Sequence, residues 1–167
     1  MVNATHAIHG LGGIGKTRLA VEYGHHFEDA YSALLMIVAD SAENLDSSLA
    51  QLTQGVINVG FEEPSDAMEV KIRSAAALTW LRTHPGWLLI IDNVDTREAA
   101  NKVDALLDKL TGGHVVITSR ISDWGVGVER LQLDVLSITD STDSCWNEAP
   151  REGGSRPRIY STRKLWQ

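Results

Sequence analysis

The sequence predicts an α/β fold in which a mainly parallel β-sheet lies between two layers of helices. Three runs of strand length are apolar almost throughout: ALLMIVA (33–39), WLLIID (87–92) and HVVITS (114–119). Such runs are typical of strands that are covered on both faces, as the strands of a parallel sheet are. Segments with helical spacing of apolar residues alternate with these runs, which indicates strands joined by right-handed helical crossovers.

The remaining elements follow from shorter patterns. ATHAIH (4–9) predicts a first strand that leads into a glycine-rich segment, and ERLQLDV (129–135) alternates as an edge strand does. Asp40 or Ser41 is expected to cap the second helix, and His-Pro-Gly at 84–86 to end the third. From the spacing of apolar residues we expect four helices, at about residues 16–28, 45–56, 70–81 and 98–110.

The composition of the chain restricts the class of protein. Its 167 residues are one domain's length of chain, with 43% hydrophobic and 22% charged residues, as in ordinary globular proteins. A net charge of −7 argues against nucleic acid or a membrane surface as a partner, and no apolar run approaches the ~18 residues of a membrane-spanning helix. The single cysteine, Cys145, and an N-terminus without a signal-peptide pattern predict a soluble, cytoplasmic protein.

The segment GLGGIGKT (10–17) matches the P-loop pattern of a glycine, four residues, and then Gly-Lys-Thr or Gly-Lys-Ser. Glycines let successive backbone N–H groups point inwards around phosphate oxygens, and the helix that starts near Lys16 adds the positive end of its dipole. Lys16 would contact the β- and γ-phosphates, and the Thr17 hydroxyl would bind Mg²⁺. The alternative is a glycine-rich turn without a ligand. The expected nucleotide-binding residues are Gly10, Gly12, Gly13, Ile14, Gly15, Lys16, Thr17 and Arg18.

A second motif supplies a candidate carboxylate for the metal. Asp92 follows four aliphatic residues at the carboxyl end of a predicted strand, where ligands bind in open α/β sheets. We expect Asp92 to support Mg²⁺ together with Thr17; the alternative is an aspartate that only ends a strand. Position 93 is an asparagine, whose amide can orient a water molecule but cannot take its proton. Hydrolysis is therefore expected to be slow at most.

A third motif places an arginine at the same edge of the sheet. HVVITSR ends in Arg120, directly after a predicted strand, and a guanidinium there can bind a γ-phosphate through charge-assisted hydrogen bonds. The alternative is a solvated loop arginine. We expect Lys16, Asp92 and Arg120 to be the catalytic residues of any hydrolysis.

With GLGGIGKTRLA, WLLIIDNVD and HVVITSR in this order, residues from about 4 to about 140 resemble the NB-ARC nucleotide-binding domain of STAND-class signalling ATPases. The resemblance implies a three-layer P-loop NTPase with a five-stranded sheet, in which the strand before Arg120 lies between the P-loop strand and the Asp92 strand. It also implies a switch, in which ADP holds a closed state and ATP favours an open, oligomerising one. By matching positions, Lys16 and Thr17 would hold phosphate and Mg²⁺, Asp92 would support Mg²⁺, and Arg120 would read the γ-phosphate.

The sequence departs from the family pattern on both sides of this core. The family has a segment before the P-loop strand that helps to enclose adenine, and helical and winged-helix subdomains after the nucleotide domain. Full-length members also carry effector and repeat domains. We expect these parts to be missing here, and therefore expect weakened binding and a monomeric fragment.

Residues 141–167 form a second segment, for which we expect an irregular basic tail. The segment lacks periodicity where the family pattern predicts an amphipathic helix. A hypothesis is that the reading frame shifts near Asp143, so that residues 144–167 are out-of-frame sequence; the alternative is a disordered basic tail. Three functions stay open for the chain as a whole. They are a regulatory module that binds ADP or ATP, an active P-loop kinase or GTPase, and a non-functional remnant of an immune-type receptor.

Overall fold

A sheet of six strands forms the centre of the fold in the computed structural model, which describes residues 4–54, 67–133 and 159–161. The strands are β1 (Ala4–His9), β2 (Ala33–Val38), β3 (Trp87–Val94), β4 (His114–Ser119), β5 (Glu129–Gln132) and β6 (Ile159–Ser161). They lie in the order β5-β1-β4-β3-β2-β6, and every strand is parallel to its neighbours.

Four α-helices are described between the strands: α1 (Lys16–His26), α2 (Ala42–Leu52), α3 (Ala67–Thr83) and α4 (Arg97–Leu107). Hydroxyl groups cap two of them. Ser41 Oγ accepts a hydrogen bond from the main-chain N–H of Asn44 at the start of α2, over 3.1 Å, and Thr96 Oγ1 accepts one from Ala99 at the start of α4, over 3.2 Å. Of the two residues that the sequence offered as a cap for α2, it is therefore Ser41 that caps it.

The ends of the elements differ from the sequence expectations in small ways. A 3₁₀ turn at Glu28–Ala30 follows α1, which ends at His26. The helix α4 ends at Leu107, because the main-chain N–H groups of Lys109 and Leu110 donate to carbonyls three residues back, as in a tightened last turn. Part of the predicted second helix lies outside the described residues, as do residues 134 and 135 of the predicted edge strand.

Alternate residues along the strands face two separate cores, one on each side of the sheet. The larger core joins the sheet to α2, α3 and α4 and includes Leu35, Ile37, Leu89, Ile91 and Ile117. The smaller core packs α1, through Ala20, against the opposite face, which carries Leu34, Met36, Leu88, Ile90 and Val116. Because both faces of β2, β3 and β4 are covered, β2 is apolar throughout and β3 and β4 are apolar up to the polar residues at their ends. The three-layer α/β fold is confirmed.

The topology places the predicted motifs at one edge of the sheet. β4 lies between β1 and β3, as the family resemblance implies, and β5 is at the margin of the sheet beside β1. The loops that follow β1, β3 and β4 therefore leave the sheet at its carboxyl edge, where ligands bind in folds of this class. The short strand β6 pairs with β2 and adds a sixth strand to the five that we expected; the rest of residues 141–167 lies outside the described part of the chain. Within the described ranges, none of the helices has both the length and the apolar character needed to cross a membrane.

Candidate functional site

The glycine-rich loop curls around the ammonium group of Lys16. Its Nζ donates hydrogen bonds to the carbonyl oxygens of Gly10, over 2.9 Å, and of Leu11, over 2.7 Å. Gly15 caps the start of α1 in the left-handed conformation, with φ of 93°, which favours glycine. Gly10 is required by a close approach, since a Cβ there would lie 2.4 Å from the carbonyl oxygen of Leu133. The loop thus joins β1 to α1 in a tight turn with the lysine folded back over it.

The start of α1 has the properties of an anion site. Its cap residue, Gly15, has no side chain that could accept hydrogen bonds from the first N–H groups of the helix. The main-chain N–H groups of the first turn, which includes Lys16, Thr17 and Arg18, therefore stay available to an external acceptor, and the helix dipole favours a negative charge there. The Arg18 side chain forms an ion pair with Glu22 one turn along the helix, over 2.5 Å. A contribution of Arg18 to phosphate binding would therefore come through its main chain.

A hydrogen-bonded group of three side chains connects α1, β3 and β4. Asp92 Oδ1 accepts hydrogen bonds from the hydroxyl of Thr17, over 2.7 Å, and from the hydroxyl of Thr118, over 2.6 Å. Thr118 is buried, and its oxygen accepts a hydrogen bond of 3.0 Å from the main-chain N–H of Asn93. The two residues predicted to bind Mg²⁺ thus lie in contact although 75 positions separate them in the sequence.

The end of β3 contains an irregularity that directs these side chains. Ile91 pairs with Ile117, but Val94 pairs with Ser119, so β3 has one more residue than β4 across this interval. Asn93 lies within the interval with φ of 66°, the only positive φ of a non-glycine residue among those described. A bulge with this geometry rotates successive side chains out of the regular alternation of a strand. Asn93 is among the residue types that adopt the left-handed conformation most readily.

Arg120 lies beside the glycine-rich loop and is bound to Asp95. Its Nε is 2.9 Å from Asp95 Oδ2, and its main-chain N–H donates to Asp95 Oδ1 over 2.8 Å. The guanidinium also lies close to Gly12, since Cζ and Nη2 are 3.4 Å from the position that a Cβ on Gly12 would occupy. Arg120 is therefore adjacent to the loop at the same edge as Lys16 and Asp92.

A cleft of about 560 Å³ opens next to the loop, on the side of β5. Residues of the glycine-rich loop form one wall, including Leu11 and Ile14, and Arg120, Gln132 and Leu133 line other parts of it. The main-chain N–H of Leu133 donates to the carbonyl of His9 over 2.8 Å, which holds the chain after β5 against the end of β1. The volume of the cleft lies within the range of ordinary small-molecule pockets, which span about 300–1,000 Å³.

The structure therefore brings the predicted residues of all three motifs to one edge of the sheet. Four further residues of this edge had no role predicted from the sequence: Asp95, Thr118, Gln132 and Leu133. Thr118 stood in the quoted motif directly before Ser119 and Arg120, so its position was a usable signal. Asp95 gave no such signal, because its contact with Arg120 depends on how the ends of β3 and β4 align.

The fold is similar to that of solved structures. A chain of the Drosophila ORC bound to GC-rich DNA and Cdc6 is similar over 84% of this chain and 53% of that chain, with a TM-score of 0.52 and 16% sequence identity. The present chain thus spans about half the length of that relative. No family model matches the sequence, and no curated protein matches it. At this identity the similarity shows the fold alone, which is a parallel sheet between two layers of helices.

Proposed function

We propose that this chain is an adenine-nucleotide-binding regulatory module of the NB-ARC type, which binds ADP or ATP with Mg²⁺ and hydrolyses ATP slowly or not at all. The observation that carries the proposal is the contact of 2.7 Å between the hydroxyl of Thr17, which follows the P-loop lysine, and Asp92 at the end of β3. In P-loop proteins these two residue types hold Mg²⁺ next to the phosphates. The quoted motifs, more than the fold, support the NB-ARC family.

The nucleotide phosphates would occupy the start of α1. The main-chain N–H groups of the loop and the first helical turn would donate hydrogen bonds to phosphate oxygens. A negatively charged ligand at a helix N-terminus satisfies these donors and interacts favourably with the helix dipole. Lys16 would exchange its two carbonyl contacts for the β- and γ-phosphates, which as charged acceptors form stronger hydrogen bonds. The base would enter the cleft beside β5, where Leu11 and Leu133 offer apolar surface.

The residues present fit a bound Mg²⁺. The described part of the chain holds no group of three or more histidine, cysteine, aspartate or glutamate residues, so it offers no metal cage made of protein alone. Mg²⁺ in nucleotide sites is held through one or two protein ligands, with phosphate oxygens and waters completing the octahedron. Thr17 and Asp92 would be those ligands, and the ion would neutralise charge on the phosphates.

The residue after Asp92 supports slow hydrolysis. Asn93 occupies the position at which many P-loop ATPases carry an acidic residue, and its amide cannot accept the proton of an attacking water. A module that keeps its nucleotide for long periods suits a switch, in which ADP would hold a closed state and ATP an open one. We propose that this chain is a monomer. Self-oligomerisation, and the presence of effector and repeat domains, are proposed only for a full-length relative.

We also propose a cytoplasmic protein without a nucleic-acid partner. The structure that is similar in fold contains GC-rich DNA, but the charge of −7 on this chain opposes binding to a polyanion. An active kinase or GTPase is the second candidate function, and it shares the P-loop, Asp92 and Arg120. A GTPase would typically carry an Asn-Lys-x-Asp motif to read guanine. Asn101-Lys102-Val103-Asp104 matches this pattern, but it lies inside α4, where Val103 is buried in the core and Lys102 is paired with Asp46 of α2, and not in a loop at the carboxyl edge of the sheet.

A thermal-shift titration with ADP, ATP and GTP tests the proposal. At about 100 times its dissociation constant, a ligand adds about 2.7 kcal/mol of stability, or about 5–10 °C in Tm for a domain of this size. We expect such a rise with ADP and ATP, a smaller rise when EDTA removes Mg²⁺, and little with GTP. A preference for GTP would contradict the regulatory module, and no rise with any nucleotide would favour a non-functional remnant.

A further inference from the structure

The carboxylate of Asp95 contacts Arg120 twice. Its Oδ1 accepts the main-chain N–H of Arg120 over 2.8 Å, and its Oδ2 lies 2.9 Å from the side-chain Nε. The side chain of Asp95 is 19% exposed, whereas that of Arg120 is 65% exposed. A largely buried carboxylate therefore fixes both the backbone and the side chain of a largely exposed arginine.

The ends of β3 and β4 hold this pair in place. Val94 and Ser119 are register partners, and each directly precedes one member of the pair. The hydroxyl of Ser119 donates to the carbonyl oxygen of Val94 and accepts the main-chain N–H of Ile121 over 2.8 Å. Val94 and Ser119 are both fully buried. Asp95 thus directly follows a buried, paired part of the sheet, whereas the side chain of Arg120, which it binds, is largely exposed.

The orientation of the guanidinium follows from this contact. Asp95 pairs with Nε, and the guanidinium lies against the glycine-rich loop, with Cζ and Nη2 3.4 Å and Nε 3.5 Å from the position of a Cβ on Gly12. A further donor, Nη2, therefore lies beside the segment that would surround a phosphate. A single ion pair at Nε does not use this donor.

We infer that Asp95 is a positioning residue that holds the Arg120 guanidinium ready for a terminal phosphate, and so gives the site its preference for ATP over ADP. This inference rests on the proposed function. An exposed arginine loses rotamer freedom when it binds a ligand, and a tether that has already restricted it lowers this cost. ADP has no γ-phosphate to meet Arg120, so the tether would affect the binding of ATP selectively.

Calorimetric titration of the full chain with Mg·ADP and with a Mg-bound, non-hydrolysable ATP analogue tests the inference. In Asp95→Ala we expect the affinity for the ATP analogue to fall about two- to tenfold, with the ADP affinity unchanged. Asp95→Asn keeps an oxygen for the main-chain N–H of Arg120 but loses the ion pair. We expect it to show the same selective loss, and it serves as the test if Asp95→Ala does not fold.

Two further variants show whether Asp95 acts through Arg120. In an Arg120→Ala background, Asp95→Ala should change the affinity for neither nucleotide. Asp123→Ala is the matched control, because it removes the same charge from another arginine pair, Arg97 with Asp123 at 3.4 Å; it should leave both affinities unchanged.

The inference would be overturned by three results. They are an equal loss for ADP and the ATP analogue, a gain for the ATP analogue, and a loss that persists in the Arg120→Ala background. An equal loss would mean that Asp95 only supports the structure, and a gain would mean that it competes with phosphate for the arginine. Wild-type protein that binds neither nucleotide would overturn the proposed function as well, whereas binding by the wild type with one of the three results would overturn the inference alone.

Discussion

The hydroxyl of Thr118 donates a hydrogen bond of 2.6 Å to Asp92 Oδ1, between neighbouring strands of the sheet. The same oxygen of Thr118 accepts the main-chain N–H of Asn93 over 3.0 Å. Thr118 therefore holds the carboxylate that we propose supports Mg²⁺, and at the same time satisfies the backbone at the bulge of β3. The threonine is 1% exposed, so no water replaces these contacts without a change in packing.

Thr118→Val should weaken both the fold and the proposed Mg²⁺ site. The change keeps the shape of the side chain but removes both hydrogen bonds. At about 0.5–1.5 kcal/mol each, their loss lowers the free energy of unfolding by about 1–3 kcal/mol. Urea denaturation measures this loss. Titration of ADP with and without Mg²⁺ should show that Mg²⁺ increases the affinity for ADP less in the variant than in the wild type. Thr118→Ser, which keeps the hydroxyl, is the control, and equal stability of the valine and serine variants would contradict the role.

Asn93 should tolerate glycine better than a β-branched residue. Its φ of 66° is accessible to asparagine and glycine, whereas a β-branched side chain is strained there. Asn93 is exposed, so little packing is lost in either variant. We expect Asn93→Val to lower the free energy of unfolding by about 1–3 kcal/mol, and Asn93→Gly by clearly less. Chemical denaturation of the two variants checks the prediction, and a valine variant as stable as the glycine variant would rule out the left-handed conformation.

Asp104 on α4 should make stability depend on pH. Burial raises the pKa of its carboxyl, the charge of Asp108 raises it further, and Arg97 opposes the shift. Because the pKa is higher in the folded protein than in the unfolded chain, the carboxylate form is disfavoured on folding. The free energy of unfolding should therefore be highest when Asp104 is protonated and fall as the pH rises from the unfolded pKa through the folded pKa.

Asp104→Asn removes this titration and supplies the test. The variant should be more stable than the wild type at pH 7, and the difference should shrink as the pH falls through the folded pKa towards about 4, the unfolded pKa of aspartate. Urea denaturation at several pH values measures both effects. Asp108→Asn should show a smaller change of the same sign, since Asp108 acts on Asp104 through its charge. A constant difference between Asp104→Asn and the wild type at every pH would contradict the assignment.

The main architecture could be predicted from the sequence because burial on both faces leaves a strong signal. The apolar runs gave β2, β4 and most of β3, and the resemblance gave the position of β4 between β1 and β3. The glycine-rich motif likewise located the start of α1 at Lys16. In these places, local pattern and tertiary structure agree.

The details of the site depend on the register between neighbouring strands, which a local sequence pattern does not specify. The bulge at Asn93 follows from how β3 aligns with β4, and that alignment brings Asp95 to Arg120. The predicted strand ended at Asp92, whereas β3 continues to Val94 because Val94 pairs with Ser119. The three-residue strand β6 had no sequence signal, since its pairing with β2 is non-local. The shifted reading frame stays a hypothesis, which the nucleotide sequence of the gene would test.

The most direct test of the central claim is a calorimetric titration of Mg·ADP into wild-type protein, Lys16→Ala and Lys109→Ala. Lys109 is an exposed lysine between α4 and β4, and it controls for the loss of a positive charge away from the glycine-rich loop. If main-chain N–H groups and Lys16 hold the phosphates, the wild type and Lys109→Ala bind ADP with one site. Lys16→Ala would then bind it about tenfold to a hundredfold more weakly, as expected for a lost hydrogen bond to a charged group. Equal affinity of Lys16→Ala and the wild type would contradict the account.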